Sequence, residues 1–237
     1  MGNALVSIAA CPDAIFFNAA GMRRTTRSCV LFSYGRAFGL DGLAQGAVAA
    51  LVPCRHAAIG FAFRHFGNTL YSETTTALAL TAPVRNRFYL GTTILLAGLY
   101  IQGYGSARTP LVDAGLAFHA GACTEIGLSL TNLGRATIGR RKEPLPRSVR
   151  AGLSWKPMEE VLAALDLVKE PPFPAEFKAG FEIRLSSTLA LRTGFENQAS
   201  SVAFGFGLSQ GIVTLDYAVA LHSILGATHI GSIQFRP

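Results

Sequence analysis

The chain has 237 residues and a net charge of +7; half of its residues are hydrophobic, only 15% are charged, and 25 are glycine. Soluble domains carry about 25% charged residues, so this composition, with a mean hydropathy of +0.35, argues for a membrane protein. The cations are scattered singly except at Arg23-Arg24 and Arg140-Arg141-Lys142, which argues against the clustered basic face of a nucleic-acid binder.

The first element is "MGNALVSIAACPDAIFFNAAGM". It is too polar at both ends to span a bilayer. No basic region precedes an apolar stretch in it, so it does not read as a signal peptide. It closes on Asn18-Ala19-Ala20-Gly21-Met22, a turn-like run.

From there the chain reads as fourteen strands. They start near Cys29, Ala44, Ala57, Ser72, Phe88, Leu111, Glu125, Arg147, Glu160, Glu176, Thr188, Val202, Ile212 and Ala227. The signal is strict alternation, the period of a strand. Ile59, Phe61 and Phe63 stand opposite Gly60, Ala62 and Arg64. Val149, Leu153 and Trp155 stand opposite Arg150, Gly152 and Ser154. Phe177, Phe181, Ile183 and Leu185 oppose Lys178, Gly180, Glu182 and Arg184. Leu189, Leu191 and Phe195 oppose Arg192, Gly194 and Glu196. Val202, Phe204, Phe206 and Leu208 oppose Ala203, Gly205, Gly207 and Ser209, and the next run places Thr214, Asp216, Ala218, Ala220 and His222 on its second face.

One face is therefore large and apolar, the other small or charged. That is the lipid face and the lumen face of a membrane barrel. The fold class expected is all-β: a closed antiparallel transmembrane β-barrel of about fourteen strands. An even number closes such a barrel, and closure leaves no backbone edge unpaired in lipid.

Two stretches have rival readings. Residues 88–107 are long enough for a membrane helix, but Gly91, Gly98, Gly103, Gly105, Thr92, Thr93 and Gln102 fit a strand and loop better. "EEVLAALDLVKE" has a helical composition, with Val161, Leu162, Leu165 and Val168 on one stripe. It is read as a strand, because losing it makes the strand number odd.

The connections alternate. "PCR", "HAGACT", "KPM", "SS" and "SQG" are short; "FGNTLYS", "QGYGSARTP", "NLGRATIGRRKEPLP", "KEPPFPA" and "HSILG" are mostly longer. Short periplasmic turns and longer external loops are the outer-membrane pattern, which puts both termini on the periplasmic side. Phe38, Tyr89 and Trp155 are candidates for the aromatic belt at the membrane interfaces.

On this alternation Arg64, Asp113, Glu125, Arg150, Lys178, Glu182, Arg184, Arg192, Glu196 and Asp216 point inward. Lys178, Glu182, Arg184, Arg192 and Glu196 lie on two adjacent strands and are placed to form a ladder. Such charges serve either as internal salt bridges or as a polar path and plug-binding surface. The cysteines Cys11, Cys29, Cys54 and Cys123 make no CxxC pair; they read as small apolar filler, with a disulfide left open. His56, His65, His119, His222 and His229 are dispersed. HExxH, GxSxG and P-loop motifs are absent, so no catalytic, metal or cofactor site is expected.

The opening segment, from Met1-Gly2-Asn3-Ala4 through Pro12-Asp13-Ala14-Ile15-Phe16-Phe17 to Asn18-Ala19-Ala20-Gly21-Met22, resembles the N-terminal segment of the PorV/PorQ family. That family is a branch of the FadL-like outer-membrane barrels. "LSLTNLG" at residues 128–134 is similar to its mid-barrel Asn-Leu-Gly strand end. "LDYAVALHSILGATHIGSIQF" is similar to its last hairpin. The chain departs from the family at Ala19, where the pattern has proline, and at Phe235-Arg236-Pro237, where it has a terminal aromatic.

The resemblance implies that residues 1–27 are a hatch inside the lumen and residues 28–237 the barrel. Asp13, Phe16, Phe17, Asn18 and Gly21 are its hatch residues. Met1 aligns with an internal family methionine, which implies a signal peptide and further hatch residues upstream. The implied function is passage of hydrophobic small molecules across the bacterial outer membrane. The alternatives are an accessory barrel of a type IX-like secretion system that binds secreted substrates, and a structural barrel with a plugged lumen. The implied partners are outer-membrane lipid, a hydrophobic solute and, in the alternative, secretion-system proteins.

Overall fold

The computed structural model describes residues 1–198 and 200–237. Fourteen strands close into one antiparallel barrel. In chain order the first seven are β1 (Cys29–Arg36), β2 (Ala44–Pro53), β3 (Ala58–Gly67), β4 (Tyr71–Arg85), β5 (Phe88–Ile101), β6 (Gly105–His119) and β7 (Thr124–Leu130). A small hairpin, β8 (Thr137–Ile138) and β9 (Glu143–Pro144), stands outside the barrel sheet. The remaining seven are β10 (Val149–Met158), β11 (Val161–Lys169), β12 (Glu176–Arg184), β13 (Leu189–Glu196), β14 (Ser201–Gln210), β15 (Val213–His222) and β16 (Gly226–Phe235). Each strand pairs with its sequence neighbours, β7 meets β10, and β1 pairs with β16 from Val30↔Phe235 to Arg36↔His229, so the sheet closes on itself.

The alternation sets the two faces. Phe61 on β3, Ile94 on β5, Leu128 on β7, Leu165 on β11 and Phe204 on β14 all stand exposed on the outside. Their neighbours Ala62, Thr93, Ala164 and Asp166 are buried inside. A continuous apolar belt around a closed barrel is a lipid surface. The chain is thus a barrel of the bacterial outer-membrane kind, and the outer membrane is its place. No helix among the described residues is long and apolar enough to cross a membrane.

Both rival stretches are strands. Residues 88–107 are β5, a three-residue turn and the start of β6. β11 pairs on both sides, with β10 and with β12. Helix propensity loses there because a strand puts Leu165 and Leu167 into lipid and Ala164, Asp166 and Val168 inside, with every backbone group in a ladder.

Three sequence expectations need correction. "QGYGSARTP" is not a loop: β6 begins at Gly105, not near Leu111, and pairs Ile101↔Gly105 through Thr93↔Asp113. Gly103 and Gly105 hold positive φ angles of 82° and 92°, which lets the chain reverse within three residues. β7 covers only Ala114–His119 of β6, so the segment from Gly105 to Asp113 is paired on one side, the setting in which a strand tolerates Pro110. Second, Tyr89 does not face the lipid interface. It shares the inward face with Gly91, and its ring meets His119 edge-on at 5.3 Å. Trp155 does face outward and is exposed, while Phe38 packs edge-on against His222. Third, Cys29 is buried as filler, but Cys54 and Cys123 stand exposed, because both fall in turns between strands. The side chain of Cys11 lies outside the described residues.

Turns at the rim shared with the termini are two to four residues long, such as 86–87 and 54–57, and the other rim also has three-residue turns at 68–70, 102–104 and 223–225, so the alternation of short and long connections holds only in part. The other rim carries the longest connection, residues 131–148, which contains β8 and β9.

Candidate functional site: the lumen and the N-terminal segment

The wall is grooved by glycine. Three cross-strand pairs bring two glycines face to face: Gly91↔Gly115, Gly127↔Gly152 and Gly180↔Gly194. At each pair the backbone of the N-terminal segment lies against the wall. A Cβ on Gly91 would strike the backbone of Ala19 and Ala20. One on Gly127 would strike Val6 and Ser7, and one on Gly152 would come within 2.9 Å of the Ser7 nitrogen. A Cβ on Gly180 would lie 2.6 Å from the Met1 carbonyl oxygen, and one on Gly194 would overlap Gly2. On β3, a Cβ at Gly60 would come within 2.7 Å of Ile15. Wall and segment could approach this closely only where the wall has no side chain.

The segment folds locally by capping. After a turn over Cys11–Asp13, a single helical turn α1 (Ala14–Phe17) ends at Asn18. Asn18 then caps the 3₁₀ turn Ala19–Arg24, its Oδ1 accepting from the Ala20 N–H at 3.2 Å. Its Nδ2 donates to the carbonyls of Val6 at 2.9 Å and Leu116 at 3.0 Å. With 2% of its surface exposed, Asn18 ties both halves of the segment to β6. A proline at position 19 is not needed to fix this turn, because the side-chain cap does so.

The other named residues of the segment divide. Gly21 is buried, and a Cβ there would overlap the Ala9 carbonyl. Phe16 lies beneath the Arg64 guanidinium, 5.1 Å from ring centroid to Cζ, a cation–π contact. Phe17 lines a cavity of about 250 Å³ with Asn3, Val6, Arg150, Asp166 and Lys178. Asp13 is exposed.

The lumen has two chemically distinct sides. On β1 to β5, Cys29, Ala49, Leu51, Ala58, Ala62, Ala77, Ala79 and Leu95 enclose Ile15 and Met22, with Leu5, Phe16, Phe17 and Leu111 packed beside them. On β12 to β15 the surface is charged. Lys178 lies between Glu176 at 3.3 Å and Glu196 at 3.4 Å. Glu182 accepts from Arg184 at 3.1 Å and from Arg192 at 2.7 Å. Arg192 also bonds Asp216, so the ladder reaches beyond two adjacent strands. It crosses β14 at Gly207, where a Cβ would meet both partners.

Arg64 and Arg150 do not join this ladder. Arg64 stacks on Phe16, and Arg150 donates to Ser148 at 3.0 Å. Asp113 accepts the backbone N–H of Asn132 at 2.8 Å. Glu125 pairs with Arg24 of the segment and with His119 at 2.7 Å. Burial draws the Arg24 guanidinium below the ordinary arginine value, and Glu125 opposes that shift.

Asp166 was not among the inward charges expected from sequence. It is fully buried, and its carboxylate accepts the Val6 N–H at 2.8 Å. The signal existed, since Asp166 alternates with Leu165 and Leu167, but the helical composition of that stretch obscured it. Arg24 and His119 were also missed, because their partner Glu125 belongs to another element, and Glu176 was missed although Lys178 lies two residues away on its own strand.

No protein-family model matches the chain, and no curated protein sequence matches it. Solved structures do. The CymD monoaromatic hydrocarbon channel superposes with a TM-score of 0.69 at 11% identity, over 97% of this chain and 92% of that one. A Pseudomonas aeruginosa FadL homologue gives 0.69 at 9% identity, over 98% and 95%. The P. putida toluene transporter TodX gives 0.66 at 10% identity, over 96% and 93%. At these identities the likeness is one of fold: the chain has the fold of FadL-like outer-membrane channels.

Proposed function

We propose that the chain is a non-catalytic outer-membrane channel for a small hydrophobic solute, with residues 1–27 as a hatch seated in a barrel of residues 28–237. The observation that carries this reading is the apolar side of the lumen. Leu5, Ile15, Phe16, Phe17 and Met22 pack there against Leu51, Leu95 and Leu111. An apolar lining that the segment itself shares gives an apolar solute somewhere to bind when the segment shifts. The neighbours described as a monoaromatic hydrocarbon channel and a toluene transporter suggest the size of solute.

Within the FadL-like kind, we assign the chain to the PorV/PorQ branch on the opening segment, residues 128–134 and the last hairpin. That branch brings the alternative of a secretion accessory that binds other proteins. The modest external connections favour a solute over a protein. The paired charges of the ladder favour a third reading, a structural barrel whose lumen stays filled.

Uptake separates these readings. The assay must use cells with an intact outer membrane, since phospholipid vesicles alone do not exclude apolar solutes. Expression of the chain should raise the uptake of labelled toluene over cells without it, and Leu111→Lys combined with Phe17→Lys should return it to background. Uptake equal to that of cells lacking the chain would contradict the channel reading.

A further inference from the structure

The external hairpin carries a concentration of charge that solute passage does not use. Residues 131–148 contain Arg135, Arg140, Arg141, Lys142 and Arg147 against one acid, Glu143. All five cations are exposed, as is Arg108 on the neighbouring β6. Among the described residues none of these six takes part in an ion pair.

The cations sit on a fixed platform. Asn132 donates its backbone N–H to the Asp113 carboxylate. Its side chain accepts from Ala136 at 2.7 Å and donates to the Leu145 carbonyl at 3.0 Å. Leu133 donates to the Val112 carbonyl at 2.9 Å, which staples the connection to the one-sided stretch of β6. Thr137 pairs with Pro144 and Ile138 with Glu143, and Ile138 is buried beneath the hairpin. Gly139 and Lys142 take positive φ angles of 75° and 53°, so the tip that carries Arg140 and Arg141 is a tight reversal.

Its height in the membrane follows from the outward faces below it. On β6 the outward residues run Val112, Pro110, Arg108, so the apolar belt stops at the first cation. On β7 the belt ends at Leu130, and on β10 it begins at Val149, two residues after Arg147. The cations therefore crown the lipid-facing belt at headgroup level, on the rim that the longer connections mark as external.

We propose that this hairpin is a binding site for the phosphate groups of an outer-leaflet glycolipid, whose acyl chains lie against Val112, Leu128, Leu130 and Val149. Arginine is suited to this because its planar guanidinium meets two phosphate oxygens at once. A lipid is favoured over a soluble polyanion because the charge is continuous with the acyl-facing belt. The bound lipid would seal the wall where β7 is short and β6 is paired on one side only. The site is independent of whether the lumen conducts.

The test uses the full chain in detergent micelles, with bisphosphorylated lipid A as the probe and native mass spectrometry as the readout. Wild type should retain the phosphorylated glycolipid and discriminate against its dephosphorylated form. Arg140→Ala, Arg141→Ala and Lys142→Ala together should weaken retention on the order of a hundredfold. Arg108→Gln, outside the hairpin, should weaken it by about fivefold. Heat-modifiable gel mobility checks that each variant is folded. Equal retention of the dephosphorylated form, or undiminished retention by the triple variant, would overturn the site. So would poly-glutamate that binds wild type as tightly as the glycolipid and is lost in the triple variant, since that marks a general polyanion surface.

Discussion

A glycine is informative when something occupies the space its side chain would have filled. Gly91, Gly115, Gly127, Gly152, Gly180 and Gly194 meet this condition; Gly91, Gly127, Gly180 and Gly194 face backbone first, which cannot swing aside, while Gly115 and Gly152 face the Asn18 and Asp166 side chains first. Gly231 is the contrast: it faces open space. Gly91→Val should therefore lower stability by about 1–3 kcal/mol if the segment stays in place, or expel it and leave its bonds around Asn18 open to exchange. Gly231→Val should do neither. Urea unfolding in micelles, with hydrogen exchange read at Val6 and Ala20, checks both arms. The same logic explains the ladder, where Gly207 leaves room for Arg192 to reach Asp216 across an intervening strand.

At the scale of the element, a strand here answers to two solvents. β14 shows it most simply: Val202, Phe204, Phe206 and Leu208 are exposed to lipid, while Ala203, Gly205 and Gly207 face the lumen. Phe204→Arg places a charge in the belt and should cost about 2–4 kcal/mol near the bilayer midplane. Ala203→Arg, on the lumen face, should cost less, and refolding titrations into lipid vesicles give both values. This two-faced alternation is local, so the strands and their even number were legible in the sequence. The same is true of the inward set, since Arg64, Arg150, Lys178, Glu182, Arg184, Arg192, Glu196 and Asp216 all lie on the face that alternation gave them. Partnership was less legible. That Glu125 meets Arg24, or that Asp166 receives the Val6 N–H, depends on where a distant segment comes to rest. The true start of β6 was hidden because Gly105, Ala107 and Pro110 are poor strand formers. They pair there because β5 offers a long template.

At the scale of the whole molecule, the lumen is a divided space. Its apolar side packs against the N-terminal segment, and its charged side is cross-linked from β12 to β15. We take that segment as the obstruction and the apolar side as the route. The hatch and the route are then one structure, because Phe16 and Phe17 belong to both. The measurement that tests this most directly is ion conductance in planar lipid bilayers, full chain against a chain lacking residues 1–22. The full chain should insert with little steady conductance, and the shortened chain should form a stable open pore. Equal conductance of the two forms, in a shortened barrel shown to be folded, would contradict the account.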